Sequence, residues 1–180
     1  MDTTQNDNTE SLEPLRRETG LVRRSGLLAR RVRELAQQVR ELDLGDEIEV
    51  VFPDKDLEAA VREELEKPDG PLTRGHLKRM KELAAKNKAI EDFTGLEHAV
   101  NLTKLYLWDN QKCSLSDVSP LASLTNLTKL YLSQNKISDV SPLASLTNLT
   151  YLNLSGNLLS QESIDIHVPD LESRRVSVSL

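Results

Sequence analysis

Between Leu102 and Leu154 the apolar positions recur with one rhythm. Leu102, Leu105 and Leu107 precede Asn110; Leu127, Leu130 and Leu132 precede Asn135; Leu149, Leu152 and Leu154 precede Asn157. Successive side chains of an extended segment point to opposite sides, so Leu105/Leu107, Leu130/Leu132 and Leu152/Leu154 put two leucines per strand on one face. Three strands are predicted, each with an apolar face that something must cover. Val118, Leu121 and Leu124, then Val140, Leu143 and Leu146, supply the cover from the segments between strands. Pro120 and Pro142 are expected to keep a regular helix from starting there.

The rhythm is a true repeat. Residues 118–139 and 140–161 are consecutive 22-residue segments identical at 16 of 22 positions. Leu102 to Leu127 takes 25 residues where Leu127 to Leu149 takes 22, an insertion placed most simply at Lys112, Cys113 and Ser114. Ile90 to Leu102 aligns without a gap on Ile137 to Leu149, so half of another repeat precedes the first strand. Such arrays need caps, because each terminal repeat otherwise exposes its apolar face. Leu57, Val61 and Leu65, continued after the Pro68 to Pro71 break by Leu77, Met80, Leu83 and Ala84, predict a helical N-terminal cap over residues 46–89. Repeats then occupy 90–161, and 162–180 closes the array with apolar Ile164, Ile166, Val168 and Leu171 and a last strand around Val176 and Val178. Upstream, residues 1–12 read as a polar disordered tail and 13–45 as an Arg-rich amphipathic helix. Its stripe of Leu28, Val32, Leu35, Val39 and Leu42 steps by 4, 3, 4 and 3 residues, which is coiled-coil spacing. The fold class is therefore an α/β solenoid with a parallel concave sheet, a helical N-terminal cap and an upstream α-helix.

With the leucines turned inward, the intervening strand positions form rows on the concave surface. These are Lys104, Lys129 and Tyr151; Tyr106, Tyr131 and Asn153; Trp108, Ser133 and Ser155; and Asp109, Gln134 and Gly156. Aromatics are only 3% of the chain, yet its one Trp and all three Tyr fall in these rows. Rigid rings with a polar edge are frequent binding hot spots, so the rows are the expected site for another protein, with Lys104 and Lys129 adding charge. Three or four strands about 4.8 Å apart span roughly 15 to 20 Å, so caps, loops or a second copy must add area to reach the usual ~800 Å² per partner. Asn110, Asn135 and Asn157 follow the strands, where stacked amides form a structural ladder that pairs with backbone groups freed at the turn.

Charge narrows the partner class. The chain carries a net −6, which argues against nucleic acid as the main partner. Residues 14–40 depart from this, with eight Arg against Glu18 and Glu34. That segment admits packing on the cap, a homodimer through the heptad stripe, or contact with an acidic partner. A single cysteine, Cys113, excludes an internal disulfide. His76, His98 and His167 lack a second ligand at metal-binding spacing, and Asp54, Asp56 and Glu58 lack the glycine and closing glutamate of a calcium loop. No metal, cofactor or catalytic residue is expected, and the Asn-x-Ser/Thr triplets at Asn101, Asn126, Asn148 and Asn153 are attributed to the repeat rather than to glycans. No segment reaches membrane-spanning length, and the start Met-Asp-Thr-Thr-Gln-Asn lacks the features of an export signal. A cytoplasmic location is expected, with secretion or surface display the alternative if a leader is missing.

The stretches "FPDKDLEAAVREELEKPDGPLTRGHLKRMKEL", "IEDFTGLEHAVNLTKLYLWDN", "VSPLASLTNLTKLYLSQNKISD" and the tail "ESIDIHVPDLESRRVSVSL" resemble the bacterial internalin-like leucine-rich-repeat proteins of 22-residue type. The units read Leu-x-x-Leu-x-Leu-x-x-Asn, as that repeat requires. The resemblance covers residues 48–180 and implies a right-handed curved solenoid used for protein recognition, often outside the cell. The expected function is protein–protein recognition through the concave face. The alternative is an assembly protein whose N-terminal heptad helix oligomerises and whose repeats form a rigid tip.

Overall fold

The computed structural model describes residues 27–28, 30–37, 45–86, 88–108 and 116–180. Asp109, Asn110, the insertion at Lys112, Cys113 and Ser114, Val39, Leu42 and the tail at 1–12 lie outside the described residues. The chain divides into two units, 1–44 and 45–180. In the first, residues 27–28 and 30–37 are helical, and Arg30 and Arg31 both pair with Glu34. Leu27, Leu28, Val32 and Leu35 stay 72%, 67%, 63% and 47% exposed.

The second unit starts with its cap. Val50 N–H donates to Leu72 O at 2.7 Å and Arg74 N–H to Ile48 O at 2.9 Å, a short antiparallel pairing that ties the entry segment to the second cap helix. Helix α1 spans Lys55–Glu64. Asp54 is its N-cap, accepting from Asp56 and Leu57 N–H at 2.9 Å each, while Asp56 and Glu58 suit the positive end of the helix dipole. Leu57, Ala60 and Val61 form its buried stripe. Helix α2, Arg74–Arg79, is preceded by Thr73, whose N–H donates to His76 Nδ1 at 3.1 Å, and it buries Leu77.

Five parallel strands follow in chain order: β1 Glu82–Ala84, β2 Lys104–Tyr106, β3 Lys129–Tyr131, β4 Tyr151–Asn153 and β5 Ser177–Ser179. Leu83, Leu105, Leu130 and Leu152 stand in register and are fully buried. Burying such a side chain contributes about 1.5–3 kcal/mol, so this row and its covering residues hold the coils together. The covers are 3-10 turns at Leu96–His98, Ser119–Ser123 and Ser141–Ser145. Pro120 and Pro142 sit in the first turn of the latter two, and Val118, Leu121, Leu124, Val140, Leu143 and Leu146 are buried beneath them.

Two expectations are corrected. Leu83 and Ala84 do not continue a helical pattern: α2 ends at Arg79, and they belong to β1. Met80, Leu83 and Ala85 are buried at the spacing of Leu102, Leu105 and Leu107, so the cap already contains a strand of repeat type. At the other end, Ile164 and Ile166 are exposed rather than buried. A π turn at Ser163–His167 precedes helix α3, Val168–Ser173, and its wider turn sets Ser163 instead of Ile164 in line with buried Val168 and Leu171. Buried Ser163 is satisfied there, its hydroxyl donating to Ser138 O at 2.9 Å and accepting from Val140 N–H at 3.2 Å.

Candidate binding face

Parallel register turns the expected rows into geometry. One row reads Glu82, Lys104, Lys129, Tyr151 and Ser177, and the next Ala84, Tyr106, Tyr131, Asn153 and Ser179. Four spacings of about 4.8 Å make the sheet roughly 19 Å wide. Tyr131 stands at the centre. It stacks on Tyr106 with centroids 4.8 Å apart and planes at 20°, and tilts against Tyr151 at 5.1 Å. Trp108 meets Tyr106 edge-on at 5.6 Å and Tyr131 at 6.0 Å. The four rings are half-buried, mutually supported and open to solvent on one side. Such a cluster presents contact area without having to freeze side chains on binding.

The other residues of the rows differ in availability. Lys104 is engaged: its Nζ lies 2.5 Å from Glu82 Oε1, and that carboxylate holds the amine above its ordinary pKa. Lys129 is exposed. Asn153 turns its Oδ1 to Ser155 N–H at 3.0 Å, leaving its amide group as the outward donor. Ser133 and Ser155 are half-buried, and Gln134 and Gly156 both have positive φ, 58° and 73°. Glycine at 156 leaves room for the Gln134 side chain to lie across the neighbouring coil.

Behind the face, Asn135 is 2% exposed, and its Nδ2 donates to Leu107 O and Leu132 O at 2.8 Å each. Asn157 repeats the pattern toward Leu132 O and Leu154 O, and its Oδ1 accepts from Ile137 N–H at 3.1 Å. Among the described residues Asn135 Oδ1 has no partner. The Nδ2 groups of Asn101, Asn126 and Asn148 donate to Lys78 O, Val100 O and Thr125 O, so each amide of the repeated triplet bonds to the preceding coil.

Three contributors to the face escaped the sequence reading. Glu82 and Ala84 extend the rows by one strand, and Lys86 Nζ stands 5.8 Å from the Trp108 centroid, a cation–π contact. The signal for all three was Met80-x-x-Leu83-x-Ala85, a repeat frame with Ala in a Leu position. Asp54 also does more than a local acid: its Oδ2 accepts from Glu91 and Asp92 N–H at 2.7 and 3.3 Å, pinning α1 to the chain that enters the repeats. Among the described residues no cluster of His, Cys, Asp and Glu has the makings of a metal site, and no helix is long and apolar enough to cross a membrane.

The family model for leucine rich repeats in two copies matches residues 100–145 and 125–166. Among curated proteins no sequence matches this chain. Of solved structures, an internalin from Listeria monocytogenes, InlF, is 32% identical with a TM-score of 0.63, covering 72% of this chain and 37% of its own. The functional domain of InlJ from Listeria monocytogenes is 26% identical with a TM-score of 0.54, covering 71% of this chain and 26% of its own. This chain thus spans little more than a third of the first and a quarter of the second. That InlJ domain includes a cysteine ladder, whereas this chain has one cysteine. By its repeats, its parallel sheet and these relatives, the chain belongs to the bacterial internalin-like leucine-rich-repeat proteins.

Proposed function

We propose that the domain is a protein-recognition module that takes its partner on the concave face. The observation that carries this reading is the cluster around Tyr131, where four of the chain's few aromatics are held together on the solvent side of the sheet. Ser133, Gln134, Asn153 and Ser155 frame the rings, and exposed Lys129 adds charge; Asp109 is expected in the same rows from the sequence alone. The domain binds and does no chemistry of its own. Capture from extracts on immobilised wild type, set beside a variant with Tyr106, Trp108, Tyr131 and Tyr151 all changed to Ala, tests it. A partner retained by the wild type and lost by the folded variant is expected; equal retention places the site elsewhere.

A second reading concerns assembly, supported by the exposure of Leu27, Leu28, Val32 and Leu35 on one short helix. Here two chains pair through the stripe Leu28, Val32, Leu35, Val39 and Leu42, giving each particle two concave faces and a gain in avidity. Light scattering over a range of concentrations is expected to show a dimer that Leu28→Lys with Val32→Lys reduces to monomer. A monomeric wild type removes the reading.

A further inference from the structure

The solenoid unit is acidic, and its concave face is not. Residues 45–180 hold 15 Lys and Arg against 21 Asp and Glu, a net of −6, yet only two of those acids, Glu82 and Asp109, fall in the concave rows. Asp109 lies outside the described residues, and Glu82 is paired with Lys104. Lys86 and Lys129 remain. Both are exposed, and neither pairs with a carboxylate among the described residues.

These two ammonium groups stand on opposite sides of the ring cluster. Lys129 follows Glu82 and Lys104 in the row that continues to Tyr151, and it lies two residues before Tyr131 on β3. Lys86 lies two residues past Ala84, and its Nζ stands 5.8 Å from the Trp108 centroid. A ring face holds an ammonium in place without cancelling its charge. Since β1 and β3 are in register through β2, the two backbones are separated by two strand spacings of about 4.8 Å and four residues of about 3.3 Å. That makes a diagonal of roughly 16 Å with Tyr106 at its middle and Tyr131 beside it. On β4 and β5 the rows continue through Tyr151, Asn153, Ser177 and Ser179, which bring no charge.

We propose that the partner surface taken by the concave face is an apolar patch flanked by two acidic side chains, one carboxylate meeting Lys86 above Trp108 and the other meeting Lys129 beside Tyr151. This rests on the concave face being the partner site and adds a charge rule to it. The rings supply contact area at the centre, while the two ammonium groups attract acidic surfaces and reject cationic ones. The remainder of the unit repels an acidic partner, so the charge that draws it to this face also orients it.

The test uses the full-length chain and three peptides, acetyl-Glu-Gly-Trp-Gly-Glu-amide and its counterparts with Gln or with Lys in place of both Glu, followed by NMR shifts. In extended form four residues span about 13 Å, so the two carboxylates reach across the diagonal. Saturable shifts at Lys86, Trp108, Lys129 and Tyr131 are expected with the acidic peptide. The Gln peptide should bind about five-fold more weakly, the weight of two exposed ion pairs, and the Lys peptide more weakly still. Lys86→Gln with Lys129→Gln alters two exposed side chains and should remove the preference for Glu over Gln while the spectrum stays dispersed. High salt should remove it as well. Equal binding of the Glu and Gln peptides, a preference that survives the double variant, or shifts that do not saturate would each overturn the charge rule. Tighter binding of oligothymidylate at the same resonances would overturn it too, giving the face to single-stranded nucleic acid. Equal binding of the Glu and Gln peptides leaves the aromatic site standing, and only the capture experiment with the four rings removed can sink that site, so the two proposals fail separately.

Discussion

The two faces of the sheet are built from neighbouring residues of the same strands and obey different rules. On the inner side the register sets Leu83, Leu105, Leu130 and Leu152 in a line of identical, fully buried side chains that ends on half-buried Val178 of β5. One residue further along each strand, the outer line changes at most steps, from Ala84 through Tyr106 and Tyr131 to Asn153 and Ser179. Stacking demands the first: each coil must present the shape that the next one packs against. Nothing in the stacking demands the second, and that freedom is where a binding surface can be written. The difference teaches that in this chain the inward residues, held constant by stacking, carry the fold, and the outward residues, which stacking leaves free to repeat or to change, carry the candidate site.

Adjacent residues of β3 give the most direct way to break that contrast. Leu130→Ala empties a central core position and is expected to cost about 2–5 kcal/mol in urea unfolding. Tyr131→Ala removes ring contacts from the half-buried outer face and should cost about 1 kcal/mol, while abolishing capture of the partner. Equal losses of stability would mean that the aromatic cluster is a second core and that the two faces are one.

The next effect lies where the strands turn. Asn157→Ala leaves Ile137 N–H without its acceptor and removes one of two donors from each of the carbonyls of Leu132, which keeps Asn135 Nδ2, and Leu154, which keeps the backbone N–H of residue 157. Leaving such a donor unmet costs about 1–3 kcal/mol, read in the same unfolding experiment. Partner capture should survive it. Loss of capture without loss of stability would move Asn157 from the scaffold to the site.

Much of this contrast was legible beforehand because both rules act at short range. Period-two leucines, the prolines that open the covering turns and the aromatics between the leucines are all visible in 22 residues. What was illegible depends on neighbours in space. Leu77, Met80 and Leu83 are three apart, a spacing that suits a helix as well as a turn running into a strand, and only pairing with Lys104–Tyr106 selects the strand. Ile164 lies four residues before Val168, as a buried helical residue should, but the π turn shifts the phase and gives the inward place to Ser163. Asp54 looked like one acid in a run of three; its second role appears only when Glu91 and Asp92 arrive beside it.

The smallest expected effect belongs to neither face and sharpens the repeat side of the comparison. Asp117 and Asp139 occupy equivalent places before the covering turns, each accepting from a serine N–H two residues on, Ser119 or Ser141, at 2.8 Å. The Ser141 N–H and then its hydroxyl stabilise the ionised form of Asp139, so its carboxyl lies below the ordinary aspartate value in the folded chain. A depressed folded pKa contributes stability above the unfolded value, about 3.9, and that contribution disappears as pH falls through the folded value. Asp139→Asn keeps an oxygen acceptor but has no charge to lose. Its deficit in melting temperature should therefore be largest at neutral pH and close between about pH 5 and pH 2, with Asp117→Asn behaving alike because the hydroxyl and N–H of Ser119 depress it in the same way. A deficit that stays constant down to the lowest pH would assign the effect to acceptor geometry instead of charge. Different pH profiles for the two variants would mean that these turns, despite their shared sequence, are not equivalent places in the fold.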